Sequence, residues 1–172
     1  MAASTVFSLK VMPETFSNAF GNQLTIHDVV AEIRAFMAAA PARHYKVTIG
    51  TDSELLASKK ADFVTAIVVH RIGNGGRYFW QRFTLGTFHT LRDRIIREVL
   101  TSIDVAKAMI AELAAIEDEL PEFEFEIHAD VGENGPTKQM IQEVVGMIRA
   151  NNFAVQTKPN SYAATNVADR HV

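Results

Sequence analysis

Hydrophobic and polar residues along the first two thirds of the chain predict a helix, three strands and a second helix. From Thr25, apolar residues recur at helical spacing in TIHDVVAEIRAFMAAA, and Thr25 with Asp28 has a capping-box spacing. The segments HYKVTIGTD and DFVTAIVVHRIGNGGRYFWQRFTLG predict three strands, the last two joined by a turn at GNGG. The next helix is predicted in LRDRIIREVLTSIDVAKAMIAELAAI. Its apolar stripe comprises Ile95, Val99, Ile103, Ala106, Ile110 and Leu113.

The remaining third predicts strand, helix, strand and a short closing helix. FEFEIHAD alternates like a half-buried strand, and GPTKQMIQEVVGMIRANN predicts a helix with Pro136 in its first turn. FAVQT is a fifth predicted strand, and YAATNVADRHV is the closing helix. The irregular first two dozen residues, with Phe7, Phe16 and Phe20, are expected to pack as an arm.

This order predicts an α/β fold with a mixed five-stranded sheet flanked by helices. An antiparallel three-strand meander is extended by two parallel strands through right-handed crossovers, with an extra helix before it. We expect residues 1–172 to form one domain, in which 1–40 hold the arm and the extra helix and 44–172 hold the core. The 172 residues, 48% of them hydrophobic, can bury one sizeable core.

Composition excludes some chemistry and leaves other chemistry open. The chain has no cysteine, so disulfides and thiolate metal sites are excluded. A net charge of −3 provides no general basic field for nucleic acid, so any such contact must depend on a local patch. There is no signal-peptide pattern at the N-terminus and no run of about 18 apolar residues. We therefore expect a soluble cytoplasmic protein without membrane contacts.

Four acidic residues stand at notable places in this order. Asp52 ends the first predicted core strand, Glu98 lies in the long helix, Asp130 ends the fourth strand and Asp169 lies in the closing helix. The order and these positions resemble the ribonuclease H superfamily, which keeps metal-binding carboxylates at those four places. Within it, IGTDSE, HADVGENGPTKQMIQEVVGMI and KPNSYAATNVADRH are similar to the YkuK-type family over roughly the whole chain.

The resemblance implies a two-metal nuclease. Asp52 would bridge two Mg²⁺ or Mn²⁺ ions, with Glu98 and Asp130 on one and Asp169 on the other. The implied reaction is hydrolysis of phosphodiester bonds in RNA, an RNA/DNA hybrid or structured DNA. Converging carboxylates raise one another's pKa unless a cation lies between them, and all-oxygen ligands suit these hard cations.

Each acid also has a structural interpretation. Asp52 and Asp130 could be turn residues at strand ends, and Glu98 could be an exposed acid paired with Arg94 or Arg97. Helical geometry places Glu98 about a quarter turn from the apolar stripe and Asp104 nearly opposite it, which favours Glu98 reaching the sheet. Asp169 falls on the far side of the small face of the closing helix, so its direction stays open.

Two other functions remain open. Glu54 shares a face with Asp52 if the strand continues, so DSE imitates the D-x-E start of proofreading-type 3'-5' exonucleases. Those enzymes have a Tyr or His a few residues before the last acid, whereas Tyr162 precedes Asp169 by seven positions. The other alternative is a non-catalytic module on the same fold that binds nucleic acid or protein.

Further polar residues are candidates for supporting contacts. His128 alternates with Asp130 along one strand face, and His171 near the C-terminus could move a proton; with Glu54 they are candidates for contact with the ligands or the substrate. Lys138 opens a predicted helix whose free N–H groups favour anions. Lys158, Ser161 and Tyr162 follow the fifth strand and are the other candidates for substrate binding.

Overall fold

A computed structural model describes residues 12–117 and 119–163, which form a seven-stranded sheet with three α-helices. Strands β1 and β2 precede helix α1, strands β3, β4 and β5 precede helix α2, and β6, α3 and β7 follow. A short 3-10 turn leads into α3. The bounds are β1 Thr15–Asn18, β2 Gln23–Thr25, α1 Ile26–Ala38, β3 Tyr45–Leu55, β4 Ala61–Arg71, β5 Gly76–Leu85, α2 Leu91–Ala114, β6 Phe123–His128, the 3-10 turn Lys138–Met140, α3 Ile141–Ala150 and β7 Ala154–Gln156.

The sheet has the order β2-β1-β5-β4-β3-β6-β7. Strands β3, β4 and β5 form an antiparallel meander, and β6 and β7 extend it in parallel beside β3. The mixed α/β sheet is thus confirmed, but the prediction of five strands is wrong. The arm adds the hairpin β1–β2, with Ser17 paired to Trp80 of β5. Strands of three and four residues are too short to show a periodicity in the sequence. They form because the edge of β5 provides hydrogen-bonding partners for β1.

The two faces of the sheet are covered differently. On β3, the odd-numbered Tyr45, Val47 and Ile49 are buried in one hydrophobic core with α1, α2 and α3. We call this side the helix face. The even-numbered residues of β3 and β6 point to the opposite side, the second face, which carries Asp52 and His128.

Helix α1 is fixed at both ends by hydrogen bonds. At its start, the Thr25 hydroxyl accepts from the Asp28 N–H, and the Asp28 carboxylate accepts from the Thr25 N–H. At its end, the buried Tyr45 hydroxyl donates towards the Ala40 carbonyl at 2.9 Å, and Arg71 donates to the Phe36 carbonyl at 2.8 Å. The start of β3 therefore holds the end of α1 against the sheet.

Two details of the helices differ from expectation, and a third prediction is not tested. In α2, the core residue is Met109, which is fully buried, whereas Ile110 is 40% exposed. Helix α3 begins at Ile141, so Pro136 precedes a 3-10 turn rather than lying in the first α-helical turn. Most of the predicted closing helix, including Asp169 and His171, lies outside the described residues, as does Phe7 of the arm.

Candidate active site where strand β3 outruns strand β6

The candidate site lies where two parallel neighbours end at different heights. Strand β3 pairs with β4 as far as Leu55, but its parallel pairing with β6 ends at Gly50 opposite His128. The sequence predicts Asp52 at the end of this strand, but Asp52 lies inside β3. Asp130 follows the end of β6 by two residues, and Asp52 follows the last paired residue of β3 by two residues. The free edge of β3 thus opens beside both aspartates.

Helix α2 brings a third carboxyl group to this opening. Glu98 lies on the sheet-facing side of α2 and is 3% exposed, so it is not an exposed helix acid. The Ser53 hydroxyl donates to Glu98 Oε1 at 2.5 Å, and Arg94 Nη1 donates to the Ser53 carbonyl at 2.5 Å. Asp104, by contrast, is exposed. Ser53 therefore connects the inner face of β3 to Glu98.

Buried hydroxyl groups bring α2 close to the meander beneath Glu98. Thr51 Oγ1 lies 2.7 Å from Ser102 Oγ of α2 and 2.9 Å from Thr65 Oγ1 of β4. All three side chains are buried, and these hydrogen bonds satisfy their polar atoms. Small hydroxyl residues in place of large apolar ones allow the helix and the strand to approach closely here.

The three carboxyl groups interact electrostatically. Burial raises the pKa of Glu98 to about 8. The Ser53 hydrogen bond and the Arg94 charge oppose this rise, while the charges of Asp52 and Asp130 add to it. Glu98 therefore holds a proton at neutral pH in the absence of a cation. A proton on the most buried acid is the expected response to three carboxyls sharing a poorly solvated region.

Asp130 is neutralised in a different way. Lys158 Nζ lies 3.0 Å from Asp130 Oδ1, and the Asp130 side chain is 20% exposed. Asp52 accepts a hydrogen bond from the Ser53 N–H at 2.9 Å, on the strand edge that β6 leaves open. A proton on Glu98 and an ammonium beside Asp130 thus offset the charge of two of the three carboxyl groups.

The donor chemistry at this opening fits a hard divalent cation, because carboxylate oxygens are the ligands that Mg²⁺ and Mn²⁺ prefer. Across residues 12–117 and 119–163, however, no three His, Cys, Asp or Glu side chains are arranged to hold a metal ion. To hold one together, Asp52, Glu98 and Asp130 would have to move closer to one another, and the metal would take the place of the proton and the ammonium.

His128 is part of a buried polar network on the second face. Its Nε2 lies 2.8 Å from Glu126 Oε1, and its Nδ1 accepts from the Ala163 N–H at 3.2 Å. An acceptor at Nδ1 places the proton on Nε2, which donates to Glu126. Burial lowers the pKa of His128, although Glu126 opposes this. Burial also tends to raise the pKa of Glu126, but the His128 hydrogen bond and the Lys46 charge hold it below its ordinary value.

This network positions the start of the C-terminal segment. The Tyr162 ring stands edge-on to His128 with ring centroids 4.6 Å apart, and Ala163 is fully buried. His128 contacts that segment and also lines a small cavity with Glu98 and Asp130, and its role at the site stays a prediction. The predicted fourth acid, Asp169, follows Ala163 by six positions in the sequence and lies outside the described residues.

The other predicted site residues have mixed surroundings. Glu54 is exposed near the end of β3 on the face of Asp52. Lys138 lies in the 3-10 turn, 3.8 Å from Glu133, so it does not open an α-helix as expected. Ser161 and Tyr162 line a cleft of about 520 Å³ together with Lys158. The roles of all these residues in binding stay predictions, as do those of Asp169 and His171, which lie outside the described residues.

Sequence reasoning missed Ser53 and Glu126. Ser53 is a buried polar residue on the helix face of β3, and that position signals a partner on the helix that covers it. The alternation in β6 predicts that Glu126 faces solvent. It is only 6% exposed, because the second face is covered at this point. Lys46 Nζ lies 3.4 Å from its carboxylate.

The fold and the site together define a ribonuclease H-like class of protein, with a meander, two added parallel strands and acids where β3 and β6 separate. Comparison with known proteins gives the same result. The model of the Ribonuclease H-like family matches residues 28–172, and the chain belongs to this family. The chain is also 34% identical over 164 residues to the "Uncharacterized protein YkuK" of Bacillus subtilis (strain 168), covering 90% of this chain and 95% of that protein. No solved structure matches.

The structure also bears on the membrane expectation. In the part of the chain that it describes, none of the helices is long and apolar enough to cross a membrane.

Proposed function

We propose that this protein is a metal-dependent nuclease that hydrolyses phosphodiester bonds in RNA, an RNA/DNA hybrid or structured DNA. The observation that carries the proposal is that Glu98 and Asp130 line one small cavity, with Glu98 hydrogen-bonded to Ser53 next to Asp52, on a ribonuclease H-like fold. Glu98 is a buried acid whose pKa of about 8 is costly for a purely structural residue. A bound divalent cation would favour the ionised form of Glu98 and so offset the cost of burying it.

Each residue has a distinct task in this proposal. Asp52 and Asp130 supply oxygen ligands on the second face, and Glu98 supplies one from α2 after losing its proton. Ser53 and Arg94 hold the Glu98 carboxylate in place. When bound, divalent cations would supply the positive charge that activates water and stabilises the leaving oxygen.

Residues beside the acids are suited to hold the substrate. Lys158, Ser161 and Tyr162 line one cleft, and Lys158 also contacts Asp130, so a phosphodiester in this cleft would share Lys158 with the candidate site. Lysine ammonium groups and hydroxyls are common phosphate contacts. These contacts do not read bases, so cleavage without sequence specificity is expected.

The test is a cleavage assay with labelled single-stranded RNA, RNA/DNA hybrid and branched DNA in Mg²⁺ or Mn²⁺. Asp52→Asn should abolish cleavage, because it removes a ligand while keeping the shape of the side chain. Asp104→Asn is the matched control, since that acid is exposed on the far side of α2. Cleavage that persists unchanged in Asp52→Asn would refute the proposal.

Two rival functions can be separated in the same assay. Glu54→Gln should keep cleavage if Asp52 acts with Glu98 and Asp130, whereas a D-x-E exonuclease would lose it. The binding module is favoured by the Lys158–Asp130 ion pair, which neutralises one carboxylate without a metal. Binding of the labelled nucleic acids without cleavage in either metal would support that module.

A further inference from the structure

The ion pair between Lys158 and Asp130 occupies the region that a metal ligand would need. Lys158 Nζ is 3.0 Å from Asp130 Oδ1, in an ionic contact without the alignment of a hydrogen bond. The lysine side chain is 44% exposed and the aspartate 20%. A positive charge therefore lies beside one of the three carboxyl groups, and it would repel a cation arriving there.

The backbone around Lys158 holds the lysine against the site. Its N–H donates to the Val131 carbonyl at 2.8 Å, which joins the loop after β7 to the loop after β6. The lysine stem then runs over Gly132, where a Cβ atom would lie 2.7 Å from the Lys158 Cβ. Glycine at position 132 therefore leaves the space that the stem fills. The contact with Asp130 results from this packing as well as from charge attraction.

We infer that Lys158 is an internal counter-ion of Asp130 that a divalent cation must displace, so that this lysine limits the metal affinity of the site. The inference rests on the proposed function, because it takes Asp130 as a metal ligand. Asp130 Oδ1 is buried with the ammonium 3.0 Å away, so a cation that reaches this oxygen has to displace the ammonium. The displaced ammonium has space in the adjoining cleft of about 520 Å³. The cleft is also lined by Gly132, Glu133, Asn134, Pro159, Ser161 and Tyr162.

The test is a calorimetric titration of Mn²⁺ into the full chain and its variants. Lys158→Met keeps an unbranched apolar stem over Gly132 and removes the charge. We expect it to bind Mn²⁺ about two- to fivefold more tightly than the wild type, on the scale of a partly exposed ion pair. Lys138→Met is the matched control: it makes the same change in net charge nearby, but its ammonium faces Glu133 at 3.8 Å. Its Mn²⁺ affinity should change by less than about twofold.

Two further variants separate the contact from general charge effects. Gly132→Ala leaves the net charge unchanged, and its Cβ would lie 2.7 Å from the Lys158 Cβ, so the lysine stem must shift. We expect this shift to weaken the contact with Asp130 and to tighten Mn²⁺ binding. In an Asp130→Asn background, Lys158→Met should have no effect, because the competing contact is already absent. Thermal unfolding of each variant checks that it is folded.

The outcomes distinguish this inference from the proposed function. Equal Mn²⁺ affinity in the wild type and Lys158→Met would overturn the inference and leave the metal site standing. Equal tightening by Lys158→Met and Lys138→Met would also overturn it, because net charge alone would then explain the change. Absence of Mn²⁺ binding in every folded variant would remove the proposed function and the inference together.

Discussion

Replacing Glu98 by glutamine tests the electrostatic account of the site without any assay of activity. The folded protein holds the Glu98 proton up to about pH 8, whereas the unfolded chain releases it near the ordinary value of 4.5. In the absence of metal, this group stabilises the fold fully below pH 4.5, and the stabilisation is lost as the pH rises towards 8. Glutamine keeps the shape of the side chain and cannot titrate.

The size of the effect follows from the shift in pKa. One pKa unit corresponds to about 1.4 kcal/mol. Between pH 5 and pH 7.5, the free energy of unfolding of the wild type should therefore fall by roughly 3 kcal/mol relative to Glu98→Gln. The pKa values of His128 and Glu126 are lowered in the fold, so these two groups make the free energy of unfolding rise with pH, opposite to the effect of Glu98. Since both are present in the two proteins, their contributions cancel in the difference.

Urea unfolding with EDTA present, at half-unit steps from pH 5 to pH 8, measures this difference. Asp104→Asn is the control, because it removes an exposed acid from the same helix and should run parallel to the wild type. A difference between wild type and Glu98→Gln that stays constant across the range would show an ordinary pKa at Glu98. The argument from a buried, coupled carboxyl would then fail.

Three further predictions concern the fold and the C-terminal anchor. Tyr45→Phe should cost about 1–2 kcal/mol of unfolding free energy in urea, because it leaves carbonyls at the end of α1 without their donor. Met109→Ala should cost about 2–5 kcal/mol of unfolding free energy, and Ile110→Ala less than about 1 kcal/mol. Equal costs would contradict the burial of Met109 and the exposure of Ile110. His128→Leu removes the acceptor for the Ala163 N–H, so that amide should exchange with deuterium faster than in the wild type; unchanged exchange would show that His128 is not an anchor. Because the pKa of His128 is lowered by burial, its contribution to wild-type stability should be lost as the pH falls below 6.5, and His128→Leu should lack this loss.

The central part of the fold could be predicted because its signals are local. Alternation in FEFEIHAD, the glycine-rich turn between β4 and β5, and the apolar stripe of α2 each reflect the burial of neighbouring residues. The hairpin β1–β2 could not, because strands of three and four residues depend on the open edge of β5 rather than on their own pattern. Met109 was missed for a similar reason: the choice between adjacent helical positions depends on how α2 packs on the sheet.

The candidate site was predictable in its residue types but not in its charge balance. The resemblance to ribonuclease H-like proteins indicated Asp52, Glu98 and Asp130, and the structure shows that their charges are coupled. The partners of these acids come from distant parts of the chain. Ser53 contacts Glu98 across 45 positions, and Lys158 reaches Asp130 from the loop after β7. No periodicity in the sequence encodes such contacts.

The central claim is that Asp52, Glu98 and Asp130 hold a divalent cation between them. Anomalous diffraction from crystals grown with Mn²⁺ tests it directly. Our account predicts a manganese peak about 2 Å from oxygens of these three side chains, with Lys158 moved away from Asp130. Diffraction data without a peak at this opening, with Lys158 still beside Asp130 at saturating Mn²⁺, would contradict it.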